Sequence, residues 1–281
     1  MTPSLPEPSN FYMTIQSHDK LLLTGAAGGL GKALRERLKA NCKVLRLSDI
    51  QDFGQAGAAE EIMLADLADA GAVDAIVRGV DAIVHLGGVS VEGPFHPILQ
   101  ANILGMYNLY EAARKHGVKR VVFASSNHVT GFYRQGETIN ASHPPRPDGF
   151  YGLSKAFGED LSRFYFDRYG IETACMRIGS SFPEPRDRRM LATWLSYDDL
   201  HRLITACLST PVLSHSIVFG MSNNAVTWWD NSQANHVGFK AQDSSDVFRD
   251  AVYARTSAPD LSDPAVQFQG GGFVKAGPFA D

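Results

Sequence analysis

The sequence predicts an α/β protein built on a doubly wound parallel sheet, with a small C-terminal part covering one end. Three observations carry this. Short apolar runs alternate with segments whose apolar residues recur at three- and four-residue spacing. The runs themselves (LLLTG, AIVHL, RVVFASS) are nearly continuous rather than alternating, as expected of strands buried on both faces. The first run also passes through a glycine-spaced turn into a helical pattern.

In chain order, strands are expected at 20–24, 43–48, 81–85, 120–124 and 172–178. Helical patterns lie at 30–40, 98–116 and 151–169. Beyond about Ser180 the alternation breaks down: Pro183, Pro185, an arginine cluster, Trp228, Trp229 and a glycine run at Gly270 intervene, with further helices expected near 197–209 and 244–254. The expected organisation is a flexible tail at 1–18, a nucleotide-binding domain at 19–180 and a small substrate-binding region at 181–281 packed on it. There is no internal repeat.

At 281 residues the chain can bury a large core, and 44% hydrophobic with 20% charged residues is ordinary for a globular protein. A net charge of -4 argues against a dedicated surface for nucleic acid or anionic membrane. No apolar run approaches the roughly 18 residues of a membrane span. The start lacks the basic and apolar regions of a secretion signal, and Met13 offers an alternative start. Cys42, Cys175 and Cys207 are odd in number and far apart, which suits reduced thiols in a cytoplasmic protein. None of the nine histidines falls in a metal-ligand spacing, so no metal site is expected.

The turn after the first strand reads Gly25-Ala26-Ala27-Gly28-Gly29-Leu30-Gly31. Gly25 permits the tight turn, Gly28 lets backbone approach a pyrophosphate, and Gly31 lets helix pack closely on strand. The phosphates would meet the N–H groups of the helix N-terminus. Asp49 ends the second strand, where a carboxylate accepts from ribose hydroxyls and repels a 2′-phosphate. With no basic residue directly after it, NAD is expected rather than NADP. Asp66 and Leu67 are expected beside the adenine, and Leu86, Gly87, Gly88 and Asn102 elsewhere along the cofactor.

Tyr151 and Lys155, at i and i+4, share one face of the helix that follows the strand at 120–124. A neighbouring ammonium and the cationic nicotinamide both favour the phenolate and so lower the pKa of a tyrosine that acts as base. That strand runs into Ser125-Ser126-Asn127-His128, at the edge where such sheets place ligands. His85, inside an apolar strand, reads as a core histidine, and Trp228 and Trp229 as packing.

These features resemble the extended short-chain dehydrogenase/reductase superfamily and, more closely, the uronate dehydrogenases. The likeness covers about 20–278 and includes VHLGGVSVEGPF, FASSNHVTGFY, RPDGFYGLSKAFGE, RIGSSFPEP, WWDNS and FQGGGFV. It is poor in the N-terminal tail and near 51–59. The resemblance implies NAD-dependent oxidation of D-galacturonate or D-glucuronate at C1 to an aldarolactone. Tyr151 would be the base, Ser126 would orient the reacting oxygen, and Lys155 would tune the pair and hold the nicotinamide ribose. Ser90, Ser126, Asn127, His128, Ser180 and Arg189 would hold the sugar, with Phe273 near the mouth. Gly29 stands where some relatives are expected to carry a polar side chain, so a substrate contact from that side is absent. A homo-oligomer is implied, with the long helices at 98–116 and 151–169 at the interface. Arg186, Arg188 and Arg189 by themselves read as a solvated cluster, from which the likeness selects Arg189. Rival readings are a nucleotide-sugar epimerase or dehydratase on the same scaffold and a non-catalytic NAD sensor. The chain beyond Lys155 is short for gripping a nucleotide diphosphate, and an intact Ser126, Tyr151 and Lys155 argue against the sensor.

Overall fold

The computed structural model describes residues 18–280. The tail expected at 1–18 lies outside them except for His18, which opens the first strand. Seven strands form one parallel sheet in the order β3-β2-β1-β4-β5-β7-β8. They are β1 His18–Thr24, β2 Cys42–Ser48, β3 Glu60–Ile62, β4 Ala82–His85, β5 Arg120–Ser126, β7 Glu172–Ile178 and β8 His215–Gly220. A second, two-stranded sheet pairs β6 Ile139–Asn140 with β9 Trp229–Asp230. Strands β6 and β9 are too short to leave a periodic trace in the sequence.

The double winding shows in the side chains of β1. Leu21 and Leu23 point into a layer with Leu34 and Leu38 of α1 Gly29–Leu38, and with Leu200, Leu203 and Ile204 of the helix Tyr197–Ser209. Leu22 points the other way, toward Val73 and Ile76 of α2 Ala70–Val77 and toward Leu109, Tyr110 and Tyr165. Both faces are covered, so consecutive residues in the middle of β1 and β4 are apolar. Residues 196–220, beyond the boundary expected at 180, supply the helix Tyr197–Ser209 and β8 to these same layers. The three cysteines are free and buried.

The helix expected at 98–116 starts earlier and changes geometry. A turn α3 Phe95–Ile98 runs into a π-helical stretch at Leu99–Leu104 and then into α4 Gly105–His116. The wide turn turns Asn102 inward, where Oδ1 accepts from Val89 N at 2.8 Å and Nδ2 donates to Ser154 Oγ at 2.9 Å. The pattern at 244–254 likewise resolves into a 3-10 turn at Ser245–Phe248 followed by a helix at Arg249–Arg255.

The long helix α5 Phe150–Tyr169 is fixed from three sides. Glu92, from the loop after β4, accepts from the N–H groups of Phe150 and Tyr151 at 2.9 Å each, which caps the helix and sets a carboxylate against its positive end. Glu159 accepts two hydrogen bonds from Arg177 of β7, at 2.9 and 2.7 Å, and one from Ser125 Oγ of β5 at 2.6 Å. Both charges of this pair are buried. Removing one partner strands the other away from water. Glu159→Ala should therefore lower unfolding stability by about 3–5 kcal/mol. Denaturant titration measures this, and a loss below about 1 kcal/mol, the level of a surface pair, would show that the pair is not what holds α5.

Candidate active site

The sequence-predicted residues converge on the carboxyl edge of the sheet, across the gap between β1 and β4 where the strand order reverses. Gly25 adopts φ +72°, and a Cβ there would come within 2.7 Å of Leu86 C and 2.8 Å of Gly87 N. The loop after β1 and the loop after β4 are thus pressed together, and only glycine lets them approach. A Cβ on Gly31 would lie 2.2 Å from Gly25 O, so α1 sits directly against the turn. No side chain caps the N-terminus of α1. A Cβ on the exposed Gly29 would meet nothing within 4 Å, so open space lies over the helix end. A bare helix N-terminus facing open space, with backbone accessible at Gly28 and Gly29, fits a pyrophosphate.

Asp49 follows β2 as expected, and its carboxylate also braces the loop: Oδ2 accepts from Ala27 N at 2.9 Å and Oδ1 from Gln51 N at 3.1 Å. Asp66 is exposed and closes its own turn through Ala68 N at 2.9 Å, while Leu67 packs beside Gly87 and Gly105. Gly87 donates to Thr24 Oγ1 at 3.2 Å, and Gly88 lies against Asn102. Asn102 spends both ends of its amide on Val89 and Ser154, so it ties the β4 loop to α5. His85 is buried, pairs with Thr24 Oγ1 at 2.7 Å, and burial pushes its pKa down to about 3: a neutral core histidine, as expected.

Tyr151 and Lys155 are both buried on the sheet side of α5. Lys155 Nζ donates to Ala124 O at 2.8 Å and lies 5.6 Å from the centre of the Tyr151 ring. Burial dominates both titrations. It pushes Tyr151 up to about 12, partly offset by the Ser126 hydroxyl, and pulls Lys155 down to about 8. The expectation that the ammonium and a cationic nicotinamide together lower the phenol's pKa thus starts from a phenol that burial has raised.

Around this pair stand the residues expected on the substrate. Ser126 Oγ accepts from His128 N at 3.2 Å. With its amide oriented by its partners, Asn127 donates to Ile178 O at 3.1 Å and accepts from Arg189 Nη2 at 3.0 Å. Arg189 also donates from Nε to Gln269 O at 2.7 Å and from Nη1 to Ser180 Oγ at 3.4 Å. Ser180 in turn pairs with Thr193 Oγ1 at 2.9 Å. Ser90 is exposed in the loop after β4. Phe273 comes from near the chain end to stack on His128, with ring centres 3.9 Å apart and planes 13° from parallel. The arginine cluster separates. Arg186 lies over the Phe182 ring, and Arg188 lies over Tyr253 and donates to Thr256, so only Arg189 reaches Asn127 and Ser180. Trp228 and Trp229 are packing residues, in a cluster with Phe219 and Tyr133.

Three functional neighbours were not singled out from the sequence. Glu92 caps α5 from a distant loop, and nothing local marks it. Asp148 lies 2.7 Å from His128 Nδ1, and Asp-Gly in a loop reads simply as a turn. Gln269 is fully buried, holds Arg189 with its carbonyl, and accepts from Trp229 Nε1 through its side chain.

Residues 21–197 match the NAD dependent epimerase/dehydratase family. The chain is 59% identical over 264 residues to a uronate dehydrogenase of Pseudomonas syringae pv. tomato, covering 94% of this chain and 96% of the relative. It is 59% identical over 268 residues to one of Pseudomonas putida, covering 95% and 100%. A crystal structure of a mutant uronate dehydrogenase from Agrobacterium tumefaciens, complexed with NAD, superposes with a TM-score of 0.92 at 52% identity, covering 94% and 99%. A likeness this high over nearly the whole of each chain, joined to a glycine cradle and a buried tyrosine–lysine pair on one sheet edge, decides the assignment: the chain belongs to the NAD-dependent epimerase/dehydratase family and, within it, to the uronate dehydrogenases.

Proposed function

We propose that the protein oxidises D-galacturonate and D-glucuronate at C1 to the aldarolactone with NAD. One observation carries the substrate class beyond family membership. Arg189 is a half-buried guanidinium at the site whose described hydrogen bonds all go to neutral oxygens, and it enters no ion pair among the described residues. Desolvation pulls its pKa down, so the charge is held at a cost that a bound carboxylate would offset.

In this reading Gly25, Gly28, Gly29, Leu30 and Gly31 hold the pyrophosphate, and Asp49 takes the adenosine ribose. Asp66, Leu67, Leu86, Gly87 and Gly88 line the rest of the cofactor site, with Asn102 behind them and Tyr151 and Lys155 at its nicotinamide end. NAD, when bound, would supply the hydride acceptor for C1 and a positive charge that favours the phenolate. Ser126 orients the anomeric hydroxyl, and Tyr151 Oη takes its proton. The buried phenol needs positive charge nearby to do so, and Lys155 contributes an ammonium held by Ala124 O. Loss of hydride from a hemiacetal carbon gives the lactone directly, so no water is activated. Ser90, Asn127, His128, Ser180 and Arg189 hold the sugar acid, and Phe273 shields it.

The same reading divides the labour between 19–180, which carries cofactor and base, and 181–281, which covers the substrate. Its working place is the cytoplasm, where three buried free thiols remain reduced. It is a homo-oligomer joined through α4 and α5, on which Tyr107, Leu153, Phe157 and Phe164 leave apolar surface exposed.

The direct test is NADH release with each sugar acid, which should be steady with either uronate and absent with UDP-sugars. Tyr151→Phe should reduce turnover at least about 100-fold with little change in NAD affinity. Retention of a tenth of wild-type kcat, read in the same assay, would remove Tyr151 from the proton transfer.

Lys155 links stability to pH. Its pKa falls from 10.5 in the unfolded chain to about 8 in the fold. Below about 8 the folded protein carries a desolvated ammonium, and that burden lifts as pH rises toward 10.5. Lys155→Met should abolish turnover yet stabilise the fold by about 1–3 kcal/mol at pH 7. Thermal melts should show the gain shrinking by pH 10, and a gain equal at both pH values would contradict this account.

Arg189→Ala should raise KM for galacturonate about 10- to 150-fold, the loss of a charged hydrogen bond. KM for NAD should barely move. Galactose, lacking the carboxylate, should be a poor substrate of wild type and no poorer for the variant. Equal losses on both sugars would make Arg189 a purely structural brace for Gln269.

A further inference from the structure

We propose that Asp148 is a positioning residue for substrate recognition: through Nδ1 of His128 it fixes the ring so that Nε2 accepts a hydrogen bond from a hydroxyl of the sugar acid. This rests on the uronate reading and deepens it, since it states which group reads the hydroxyls as opposed to the carboxylate.

The Asp148 side chain is fully buried. Its Oδ2 lies 2.7 Å from His128 Nδ1, while its Oδ1 has no hydrogen-bond partner among the described residues. A buried carboxylate with one oxygen unmatched costs free energy, so the fold needs a reason to keep it. Helix capping is not that reason, because Glu92 caps α5. Nor is a close ion pair with a lysine or arginine, since none lies within ion-pair distance of it among the described residues, although its charge also acts on Arg189. The fold also makes room for it. A Cβ on Gly131, or on Gly270 from the far end of the chain, would lie 1.9 Å from Asp148 Oδ2. Two separate segments therefore close around this one oxygen and leave it a single position.

His128 is equally confined. Its backbone N–H donates to Ser126 Oγ, Phe273 covers one ring face at 3.9 Å, and the Tyr151 ring stands edge-on at 5.8 Å. With Nδ1 engaged by a carboxylate, the proton belongs on that nitrogen, and the lone pair of the neutral ring is on Nε2. Nε2 makes no hydrogen bond among the described residues, and the side chain keeps 12% of its surface exposed. A lone pair can accept from a hydroxyl and cannot bind a carboxylate. His128 and Arg189 thus offer opposite chemistry, one acceptor and one donor fork, with Asn127, the neighbour of His128 in the chain, accepting from Arg189 Nη2. A sugar acid that satisfies both presents a hydroxyl to the one and its carboxylate to the other.

The test uses the full chain with NAD bound. In 15N-histidine NMR, His128, identified by the resonance lost in His128→Gln, should show a protonated Nδ1 and a bare Nε2. Asp148→Asn can turn an amide N–H toward the ring, and the proton should then move to Nε2. KM for galacturonate should rise about tenfold in Asp148→Asn, with KM for NAD changed less than about twofold. In a His128→Gln background the same substitution should add less than about twofold, because the effect runs through the ring. If Asp148→Asn does not fold, Gly270→Ala serves instead. Its backbone at φ -66° accepts alanine, and the new methyl displaces the Asp148 oxygen while keeping its charge, so the same KM signature is expected. Full additivity with His128→Gln, an equal loss of NAD affinity, or a wild-type His128 protonated at Nε2 would each overturn the proposal. A wild type that forms no NADH from either uronate would overturn the functional reading separately, and the tautomer measurement would still decide the Asp148 contact.

Discussion

The anchoring of α5 against β5 and β7 is the constraint on which the site depends. This helix carries both Tyr151 and Lys155, and neither could be buried usefully if the helix slid or rotated. The Glu159–Arg177 pair, with Ser125, fixes its middle to two strands at once. Glu92 fixes its first turn, and Asn102 reaches Ser154 between them. A buried ion pair contributes little net stability when compared with apolar packing, but its geometry is exacting, and a catalytic helix needs placement more than it needs free energy.

Burial at that helix has opposite effects on the two reactive groups. It raises the phenol and lowers the amine, so each is driven toward its neutral form. The low pKa of Lys155 is the corresponding burden on the fold: a charge kept in a dry place for its effect on a neighbour.

The substrate side is assembled differently, from parts far apart in the chain. Phe273, Gln269 and Gly270 arrive from the C-terminal end and meet His128, Arg189 and Asp148 respectively. The glycine run in FQGGGFV, which has no evident purpose in the sequence alone, allows this segment to lie against Asp148 and the Arg189 side chain. The π-helical turn at Leu99–Leu104 serves the β4 loop in the same way, by turning Asn102 inward at the expense of regular helix.

The sheet, the glycine cradle, Asp49 and the Tyr151/Lys155 pair were legible in the sequence because each is a local pattern. Strand and helix periodicity, a strand–turn–helix glycine spacing and an i, i+4 pair all lie within one or two elements, and local sterics and hydrogen bonding fix them. Arg189 could be picked from its cluster only by family likeness, since three arginines within four residues look alike until packing sends Arg186 onto Phe182 and Arg188 onto Tyr253. Glu92, Asp148 and Gln269 left no signal, because their partners lie at sequence separations that only the folded chain closes. The direction of the Tyr151 shift was also beyond the sequence. A charged neighbour can be read from spacing, but desolvation depends on how completely the surrounding elements exclude water, and the tertiary structure alone decides that.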